Sequence, residues 1–419
     1  MSGRVKRRRL NDLADDIDGK IDSYRSASKD DKDSWNGFCE LESEPAIFNV
    51  MLREFGVTGI KVQEVVSLDE ELLAFLNKPV YGLIFLFRWR EDDPDKQEAS
   101  CPEGLWFANQ TASNSCASVA LLNIVNNIEG ADLGENLRSF KDFTMPFTPA
   151  LRGDAINNFE FVKKIHNSFA RRMDILNSDL LLKSEAASKR NRLKKRGREE
   201  HEADAGFHFI AFVPALGKVW KFDGLERQPQ ALGPFEPDSD WLELVKPNIR
   251  ARMEAYEEDQ IEFSILSLAR DPLPDLISQL AVNIKQLQSI SRTITAGKQR
   301  EIGADPQTMA FLSDNALLGP DASYEVTERV LEEAAVPVSK QEENIGCSAD
   351  ELVKQGIDLG RAQLELRAAI REEQQSRRAD EEYAAGRRYD YGPAIRTWLR
   401  LLARKQVIED LVSKTKEFR

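Results

Sequence analysis

The longest apolar run of the chain, Val80 to Phe87, places the strongest limit on its fold. The run is much shorter than the ~20 residues that a membrane-spanning helix needs, and it lacks the alternation of a half-buried strand. Within it, Tyr81–Phe87 is therefore predicted to be a central strand buried on both faces. The content of 41% hydrophobic and 31% charged residues is that of a soluble globular protein with a solvated, helical or disordered portion.

Helix and strand signals alternate around this run. Apolar residues recur at helical spacing before Gly56, and Ile60–Val66 alternates apolar and polar residues as a half-buried strand does. A second apolar helix ends near Gly130, and mixed signals continue to Ser264–Ala269. We predict an α/β (α+β) domain from about residue 34 to residue 270, long enough to bury its own core.

Two charged segments differ from this domain in composition. Residues 1–33 are predicted to be a disordered arm, in which Lys6–Arg9 is either a nuclear-import signal or a solvated basic tail. The segment from Asn177 to Ala205 carries a basic block and then an acidic block, which indicates a long mobile surface loop. A second nuclear signal is the alternative there.

The chain changes character beyond Asp271. Prolines and glycines separate shorter helical pieces, so residues 271–348 are predicted to be a linker with helical pieces. Residues 349–419 are predicted to be a helical extension, with one long helix over Asp350–Ala385 and two short amphipathic helices after it. Helices of this size bury little surface alone, so the extension needs a partner protein or the main domain.

Cysteine content and charge argue against several functional classes. The four cysteines have no CxxC motif and no repeated spacing, which disfavours a disulfide framework and a structural zinc site. A reducing intracellular compartment is expected, since the N-terminus also lacks the apolar stretch of a secretory signal. The net charge of -13 argues against general nucleic-acid binding.

The segment from Gln110 to Ala120 is the first candidate for chemistry. An apolar helix begins directly after Cys116, with Asn114 or Ser115 as its N-cap, so the thiol is expected in the first helical turn. There the helix dipole and free backbone N–H groups favour a thiolate and can also bind an oxyanion. Gln110 can offer its side-chain NH₂ as a second donor. A buried cysteine packed at the start of a helix is the alternative interpretation.

His208 and Asp223 are the partners that such a thiol needs. They lie in two strand-like runs on either side of Pro214–Gly217, and a hairpin closed symmetrically about that turn pairs them directly. An aspartate in this position orients the imidazole so that its other nitrogen faces a thiol. The pairing depends on the register of the hairpin. A core histidine beside an unrelated turn aspartate is the alternative.

The other histidines and cysteines are weaker candidates. His166 lies on an amphipathic helix and is predicted to have a structural, hydrogen-bonded role, while His201 is predicted to be solvated in the charged segment. Cys39 and Cys101 lack the context of a helix start, and Cys347 lies in the tail. These three thiols are predicted to be inert.

Several motifs along about residues 35–270 resemble, in the same order, those of the ubiquitin C-terminal hydrolases, a family of papain-like cysteine deubiquitinases. The motifs are Glu42–Pro45, Gly82–Phe87, Gln110–Cys116, His166–Arg171, Phe207–Phe209 and Phe222–Leu225. The tail from Arg388–Tyr391 to Leu411–Val412 resembles the C-terminal docking element of the long members of this family. The resemblance implies a papain-like fold with a central antiparallel sheet flanked by helices, followed by a helical C-terminal extension.

Position by position, the resemblance implies an active hydrolase that cuts after the C-terminal glycine of ubiquitin. Cys116 matches the nucleophile, and His208 matches the general base and acid. Asp223 matches the residue that orients the histidine, and Gln110 matches the oxyanion-hole donor. Residues from about 168 to 206 match the crossover loop through which the ubiquitin tail passes. No cofactor and no metal are implied.

The long family members are of two types, and both remain open for this chain. One type docks on the proteasome through an adaptor's small helical domain and trims ubiquitin chains. The other is nuclear and removes ubiquitin from histone with a chromatin adaptor. Phe169–Arg171 and the compact length favour the first type, which we prefer, whereas Val80–Gly82 and the basic arm favour the second. Cytoplasmic and nuclear localisation is expected. A ubiquitin-binding scaffold with little activity is the alternative from another functional class.

Overall fold

The computed structural model describes residues 25–88, 93–180, 206–236, 239–254, 263–297, 315–337 and 348–408. Most of the predicted N-terminal arm, most of the charged segment with His201, and Cys347 lie outside these residues. Within the described ranges, we find no helix with the length and apolar character needed to cross a lipid bilayer.

Strands and helices follow one another along the chain. The strands are β1 (Ile60–Glu64), β2 (Val80–Arg88), β3 (Phe207–Ala215), β4 (Lys218–Phe222), β5 (Gln230–Pro234) and β6 (Ser264–Arg270). The α-helices up to β3 are α1 (Lys29–Ser34), α2 (Pro45–Phe55), α3 (Glu70–Leu73), α4 (Cys116–Val125), α5 (Gly134–Thr144), α6 (Pro149–Asn157), α7 (Glu160–Asn167) and α8 (172–180). The later helices are α9 (Leu242–Glu254), α10 (Leu273–Gly297), α11 (Asn315–Leu318), α12 (Glu328–Glu333), α13 (Ala349–Arg388) and α14 (Gly392–Arg404).

The strands form one sheet in the order β1-β6-β2-β3-β4-β5. β2 pairs antiparallel with β3 on one side and with β6 on the other, and β4 pairs antiparallel with both β3 and β5. The prediction of a central strand over Tyr81–Phe87 is therefore confirmed. The predicted α+β class with a central antiparallel sheet flanked by helices is confirmed as well.

Alternate side chains of β2 and β3 fill two separate cores, one on each face of the sheet. Ile84 and Phe209 belong to the core that α2 and α4 cover, whereas Phe85 and Ile210 belong to the core that α9 covers. Successive residues of a strand point to opposite faces, so an uninterrupted apolar strand is buried on both. Helix α4 packs directly on β3 and β2, which brings the elements that carry Cys116 and His208 together.

The β3–β4 hairpin has a different register from the predicted one. Ala215 pairs with Lys218, which leaves Leu216 and Gly217 as a two-residue loop with φ angles of 53° and 69°. Positive φ at both loop residues is what a type I′ turn requires. Pro214 is therefore a strand residue and not part of the turn. The predicted symmetric closure about Pro214–Gly217 is wrong.

The error amounts to two residues along the strand. Extending the observed ladder beyond Ala211 and Phe222 places Ile210 opposite Asp223, where His208 was predicted to lie. Side chains of a strand return to the same face every two residues, so His208 stays on the face of Asp223. It lies diagonally across from the aspartate, within reach of a hydrogen bond.

Residues Arg270–Glu381 form a second compact unit, whereas the described part of Glu382–Arg419 groups with the residues up to Ala269. The sequence analysis divided the same region at residue 348 into a linker and an extension. In the structure, the buried Ile284 of α10 packs in one apolar cluster with Ile370 of α13, so both helices belong to one folded unit.

Two of the prolines on which the prediction of a linker rested lie at the start of a helix. Pro272 directly precedes α10, and Pro274 is the second residue of this helix, which runs for 25 residues. A helix tolerates proline in its first turn, where the missing N–H has no intrahelical partner. The prolines therefore open a long helix and do not interrupt one.

Candidate active site

Cys116 is the first residue of α4. Ser115 occupies the N-cap position, but its hydroxyl donates to the Ala112 carbonyl oxygen at 2.8 Å and does not cap the helix. Asn114, the other predicted cap, donates from Nδ2 to Ser178 Oγ at 3.2 Å. Backbone N–H groups of the first turn therefore have no side-chain cap beside the Cys116 sulfur. Such groups carry the positive end of the helix dipole and can bind an anion.

His208 and Asp223 form a buried hydrogen-bonded pair. Nε2 of His208 lies 2.7 Å from Oδ1 of Asp223, and the two side chains are 5% and 2% exposed. The Leu225 N–H also donates to this carboxylate, at 2.9 Å. A carboxylate only accepts, so Nε2 carries the proton, and Nδ1 is the ring nitrogen that remains for a second partner.

The charges of this pair stabilise each other. Burial lowers the pKa of His208, but the hydrogen bonds to Asp223 and Cys116 outweigh it and raise the pKa to about 9. Burial also disfavours the Asp223 carboxylate, yet the hydrogen bond from His208 and its positive charge hold the pKa of Asp223 below its ordinary value. The pair therefore favours an imidazolium beside a carboxylate at neutral pH.

Gln110 lies on the loop that leads into α4. Its backbone N–H donates to the Gly224 carbonyl oxygen at 2.8 Å, which connects this loop to the residue that follows Asp223. Nε2 of Gln110 donates to the Ala112 carbonyl oxygen at 3.1 Å. An amide nitrogen carries two hydrogens, so the second remains for an oxyanion. The structure thus brings together all four predicted site residues.

The Cys116 side chain lines a cavity of about 500 Å³. Leu86 of β2, Phe209 of β3 and Phe263, which directly precedes β6, contribute apolar side chains to its wall. The charged part of the wall comes from three carboxylates and one guanidinium, those of Glu40, Glu42, Asp174 and Arg387. The thiol therefore opens into a space with both apolar and charged walls.

Cys39 and His166 are buried, and Cys101 is partly buried. Burial raises the pKa of the Cys39 thiol to about 12 and also raises that of Cys101. His166 accepts from the Ser118 hydroxyl at Nδ1 and donates from Nε2 to the Cys39 carbonyl oxygen, at 2.7 and 2.8 Å. Burial lowers the pKa of His166 to about 4, so the ring is neutral. The predicted structural role of His166 is confirmed.

A search of the described ranges for metal ligands finds no group of three or more His, Cys, Asp or Glu side chains that could hold an ion. The site described above offers a thiol, an imidazole, a carboxylate and an amide group. The family model described as "Ubiquitin carboxyl-terminal hydrolase, family 1" matches residues 38–254, which is more than half of the chain and includes all four groups. The chain belongs to this family. It is a cysteine-type ubiquitin carboxyl-terminal hydrolase.

Two named relatives and one solved structure show how far the similarity to this hydrolase extends. Ubiquitin carboxyl-terminal hydrolase isozyme L5 of Dictyostelium discoideum is 35% identical over 285 residues, which cover 66% of this chain and 77% of the relative. Ubiquitin carboxyl-terminal hydrolase BAP1 of Xenopus tropicalis is 32% identical over 253 residues, which cover 56% of this chain and 34% of the relative. The catalytic domain of Trichinella spiralis UCH37 bound to ubiquitin vinyl methyl ester is 32% identical, with a TM-score of 0.45, and the match covers 56% of this chain and 96% of that one.

Sequence reasoning missed a buried support behind the hydrolase site. Nζ of Lys221 is fully buried and lies 2.7 Å from Oε1 of Glu226, and Nδ2 of Asn109 donates to the Glu226 carbonyl oxygen at 2.6 Å. Lys221 lies two residues before Asp223 on the same face of β4, and its charge helps to lower the pKa of the aspartate. A lysine between Trp220 and Phe222, in an apolar strand, was the available signal.

Gly224→Ala is expected to lower kcat by roughly tenfold, because small displacements of positioned groups have large effects on rate. A Cβ at this position would lie 3.0 Å from the Gln110 backbone nitrogen and 3.1 Å from the Gln110 Cβ, so the glutamine would have to move. Turnover of a fluorogenic ubiquitin amide measures the effect. Gly206→Ala is the matched control, since a Cβ there meets no atom within 4 Å. Equal kcat values for the two variants would contradict a role for Gly224 in placing Gln110.

Proposed function

We propose that this hydrolase cleaves the bond after the C-terminal glycine of ubiquitin with Cys116 as its nucleophile. The observation that carries the proposal is the buried His208–Asp223 hydrogen bond, together with a cysteine at the N-terminus of a helix whose interaction with His208 helps to raise the pKa of the histidine. A thiol, a base within hydrogen-bond reach and a third group that orients the base are the parts of an activated nucleophile.

In the first step, His208 takes up the thiol proton of Cys116 and so becomes the imidazolium that the site favours at neutral pH, and the sulfur attacks the glycine carbonyl carbon. The electron pair of the C=O bond moves to oxygen, and the Gln110 side-chain N–H with the Cys116 backbone N–H stabilises this oxyanion. Asp223 holds the ring of His208 in place through Nε2 and stabilises the imidazolium that forms.

In the second step, the tetrahedral intermediate collapses and the bond to the leaving amine breaks. His208 gives its proton to that amine, which leaves a thioester between Cys116 and the ubiquitin glycine. A water molecule then gives a proton to His208 and attacks the thioester. Ubiquitin leaves with a free carboxylate, and the Cys116 thiol is restored.

Covalent labelling tests this assignment. Ubiquitin that carries a C-terminal vinyl methyl ester is expected to form one adduct, mapped by mass spectrometry to Cys116. Cys116→Ala is expected to abolish the adduct, whereas Cys39→Ala and Cys101→Ala are expected to retain it, since burial raises the pKa of both thiols. An adduct on another residue would overturn the site assignment, and no adduct with the wild type would favour the scaffold alternative.

We further propose that the C-terminal extension docks on an adaptor of the proteasome and that the hydrolase trims ubiquitin chains there, in cytoplasm and nucleus. Helix α14 supports this, because it carries large apolar side chains that are exposed: Ile395 at 51%, Trp398 at 61% and Leu401 at 49%. Contiguous exposed apolar surface is typical of a docking site for another protein. The match covers 77% of the isozyme L5 relative but 34% of the BAP1 relative.

Trp398→Ala is expected to weaken co-sedimentation with purified proteasomes at least tenfold, because large exposed aromatic residues carry much of the binding energy of such surfaces. Arg404→Ala, on the same helix, is the matched control and is expected to retain binding. Equal binding by both variants would contradict docking through α14. Binding to a chromatin adaptor and not to proteasomes would favour the histone-directed alternative.

A further inference from the structure

The last turn of α13 brings Arg387 into the wall of the cavity that Cys116 lines. The Arg387 side chain is 6% exposed. Its Nε donates to both carboxylate oxygens of Glu42, at 2.8 and 2.9 Å, across a sequence separation of 345 residues. Glu42 lies just before α2, so one side of the guanidinium holds the segment at the start of the folded domain.

The other side of the guanidinium holds the segment between α7 and α8. Nη1 of Arg387 donates to the Phe169 carbonyl oxygen at 2.8 Å and to Oδ2 of Asp174 at 3.1 Å. The Arg171 backbone N–H donates to the same Asp174 oxygen at 2.8 Å, and Nε of Arg171 donates to the Arg387 carbonyl oxygen at 3.1 Å. One buried side chain therefore connects the two segments that place Glu42 and Asp174 in the cavity wall.

The neighbouring Arg388 makes contacts of the same kind outside the cavity. Its Nη2 donates to both carboxylate oxygens of Glu54, at 2.8 and 2.7 Å, and its Nε donates to Ser168 Oγ at 3.0 Å. Its guanidinium also lies 4.4 Å from the centre of the Phe169 ring. The two arginines thus attach the same helix end to the domain, but Arg387 alone of the pair lines the cavity.

We propose that Arg387 is a positioning residue for substrate binding: it sets the spacing between Glu42 and Asp174 and so the width of the cleft that leads to Cys116. Because the guanidinium is planar and rigid, it fixes the direction of its Nε contact with Glu42 relative to its Nη1 contact with Asp174, which a flexible ammonium does not. The Glu42 and Asp174 side chains are 50% and 26% exposed, so solvent screens their charges and the fixed geometry is what Arg387 contributes. This inference rests on the proposed function, because it concerns how the ubiquitin tail reaches the thiol.

Arg387→Ala is expected to raise KM for a fluorogenic ubiquitin amide by ~10- to 100-fold, with kcat within about threefold of the wild type, since misplaced binding groups have effects of this size. Arg387→Lys is expected to give an intermediate KM, because an ammonium cannot reproduce the fork. The rate at which iodoacetamide alkylates Cys116 is expected to stay unchanged in both variants, because this small electrophile does not use the cleft wall.

Arg388→Ala is the matched control and is expected to keep KM within about twofold, although it removes a similar set of contacts. A double-mutant cycle with Glu42→Gln tests whether Arg387 acts through Glu42. The double variant is then expected to have the KM of Arg387→Ala alone, because coupled residues are not additive. Thermal melts identify any variant that is unfolded at the assay temperature, and if Arg387→Ala is one, Arg387→Lys and Glu42→Gln take its place in the comparison.

Equal KM values for the Arg387 and Arg388 variants would overturn the inference. A loss of kcat together with slower alkylation of Cys116 would also overturn it, since Arg387 would then act on the chemistry or on the fold. Absence of turnover and of ubiquitin labelling in the wild type would instead contradict the proposed function itself, which separates the two failures.

Discussion

Replacement of Cys116 by alanine is expected to lower kcat for a ubiquitin C-terminal amide by about 10⁶-fold, because loss of the nucleophile removes nearly all the rate enhancement of a coupled triad. Release of a fluorescent amine from ubiquitin measures this rate. The affinity for ubiquitin is expected to stay within about threefold, since the change removes one sulfur atom from a much larger contact surface. Loss of turnover with retained binding would separate chemistry from recognition.

Cys101→Ala is the matched control for this prediction. Burial raises the pKa of the Cys101 thiol, and the sulfur lies 3.9 Å from Nη1 of Arg152, away from the residues that line the Cys116 cavity. Its kcat is expected to stay within about twofold of the wild type. Substantial turnover by Cys116→Ala would identify another nucleophile. Ubiquitin binding without any turnover by the wild type would favour a scaffold.

Asp223→Asn is expected to lower kcat by up to about 10⁴-fold, because an amide no longer stabilises the imidazolium or holds the correct tautomer of the histidine. The alkaline limb of the pH profile gives a second readout. In the wild type, kcat/KM is expected to fall above about pH 9, where His208 loses its proton. Burial alone lowers the pKa of His208, so removal of the opposing carboxylate is expected to move this limb towards neutral pH.

Asp132→Asn is the control for the pH profile. Asp132 lies on the surface, where it pairs with Arg138 at 2.8 Å, and both side chains are more than half exposed. Its replacement is expected to leave kcat and the alkaline limb unchanged. An alkaline limb that does not move in Asp223→Asn would contradict the role of Asp223 in setting the pKa of His208.

The free energy of unfolding is also expected to depend on pH through the titration of His208. The pKa of His208 is raised from its ordinary 6.5 to about 9 in the folded protein. The stabilisation by its protonated form is therefore fully present below pH 6.5 and is lost as pH rises through 9. Chemical denaturation between these values is expected to show falling stability in the wild type and a shallower fall in Asp223→Asn. An equal decrease in the free energy of unfolding with rising pH in the two proteins would contradict this linkage.

Local sequence signals were sufficient to predict those helices and strands whose ends and buried faces are marked by residues within the same segment. Helix α2 begins at Pro45 and ends before Gly56, whose φ of 86° is the left-handed conformation that terminates helices. The strand over Tyr81–Phe87 followed from an apolar run without alternation. Cys116 was expected in the first turn of a helix because the apolar pattern begins directly after it. Each of these signals lies within the segment that it describes.

The hydrogen bond between His208 and Asp223 was expected from a register that is two residues in error. The error arose at Pro214, which looked like a turn residue but continues β3. A shift by two residues keeps side chains on one face, so the pair survived, whereas a shift by one would have separated it. Beyond Asp271 the prolines indicated short helical pieces, but the first two of them lie at the start of the 25-residue helix α10.

The sequence by itself determined the buried strand over Tyr81–Phe87, the helix that begins at Cys116 and the α+β class, and it proposed four site residues: Gln110, Cys116, His208 and Asp223. The tertiary structure decided the hairpin register, the buried Lys221–Glu226 pair and the contact of Arg387 with Glu42. The periodicity of a helix or a strand shows only which residues a few positions apart in the sequence share a face. A contact across 345 residues depends on how the whole chain packs, so no local period or spacing encodes it.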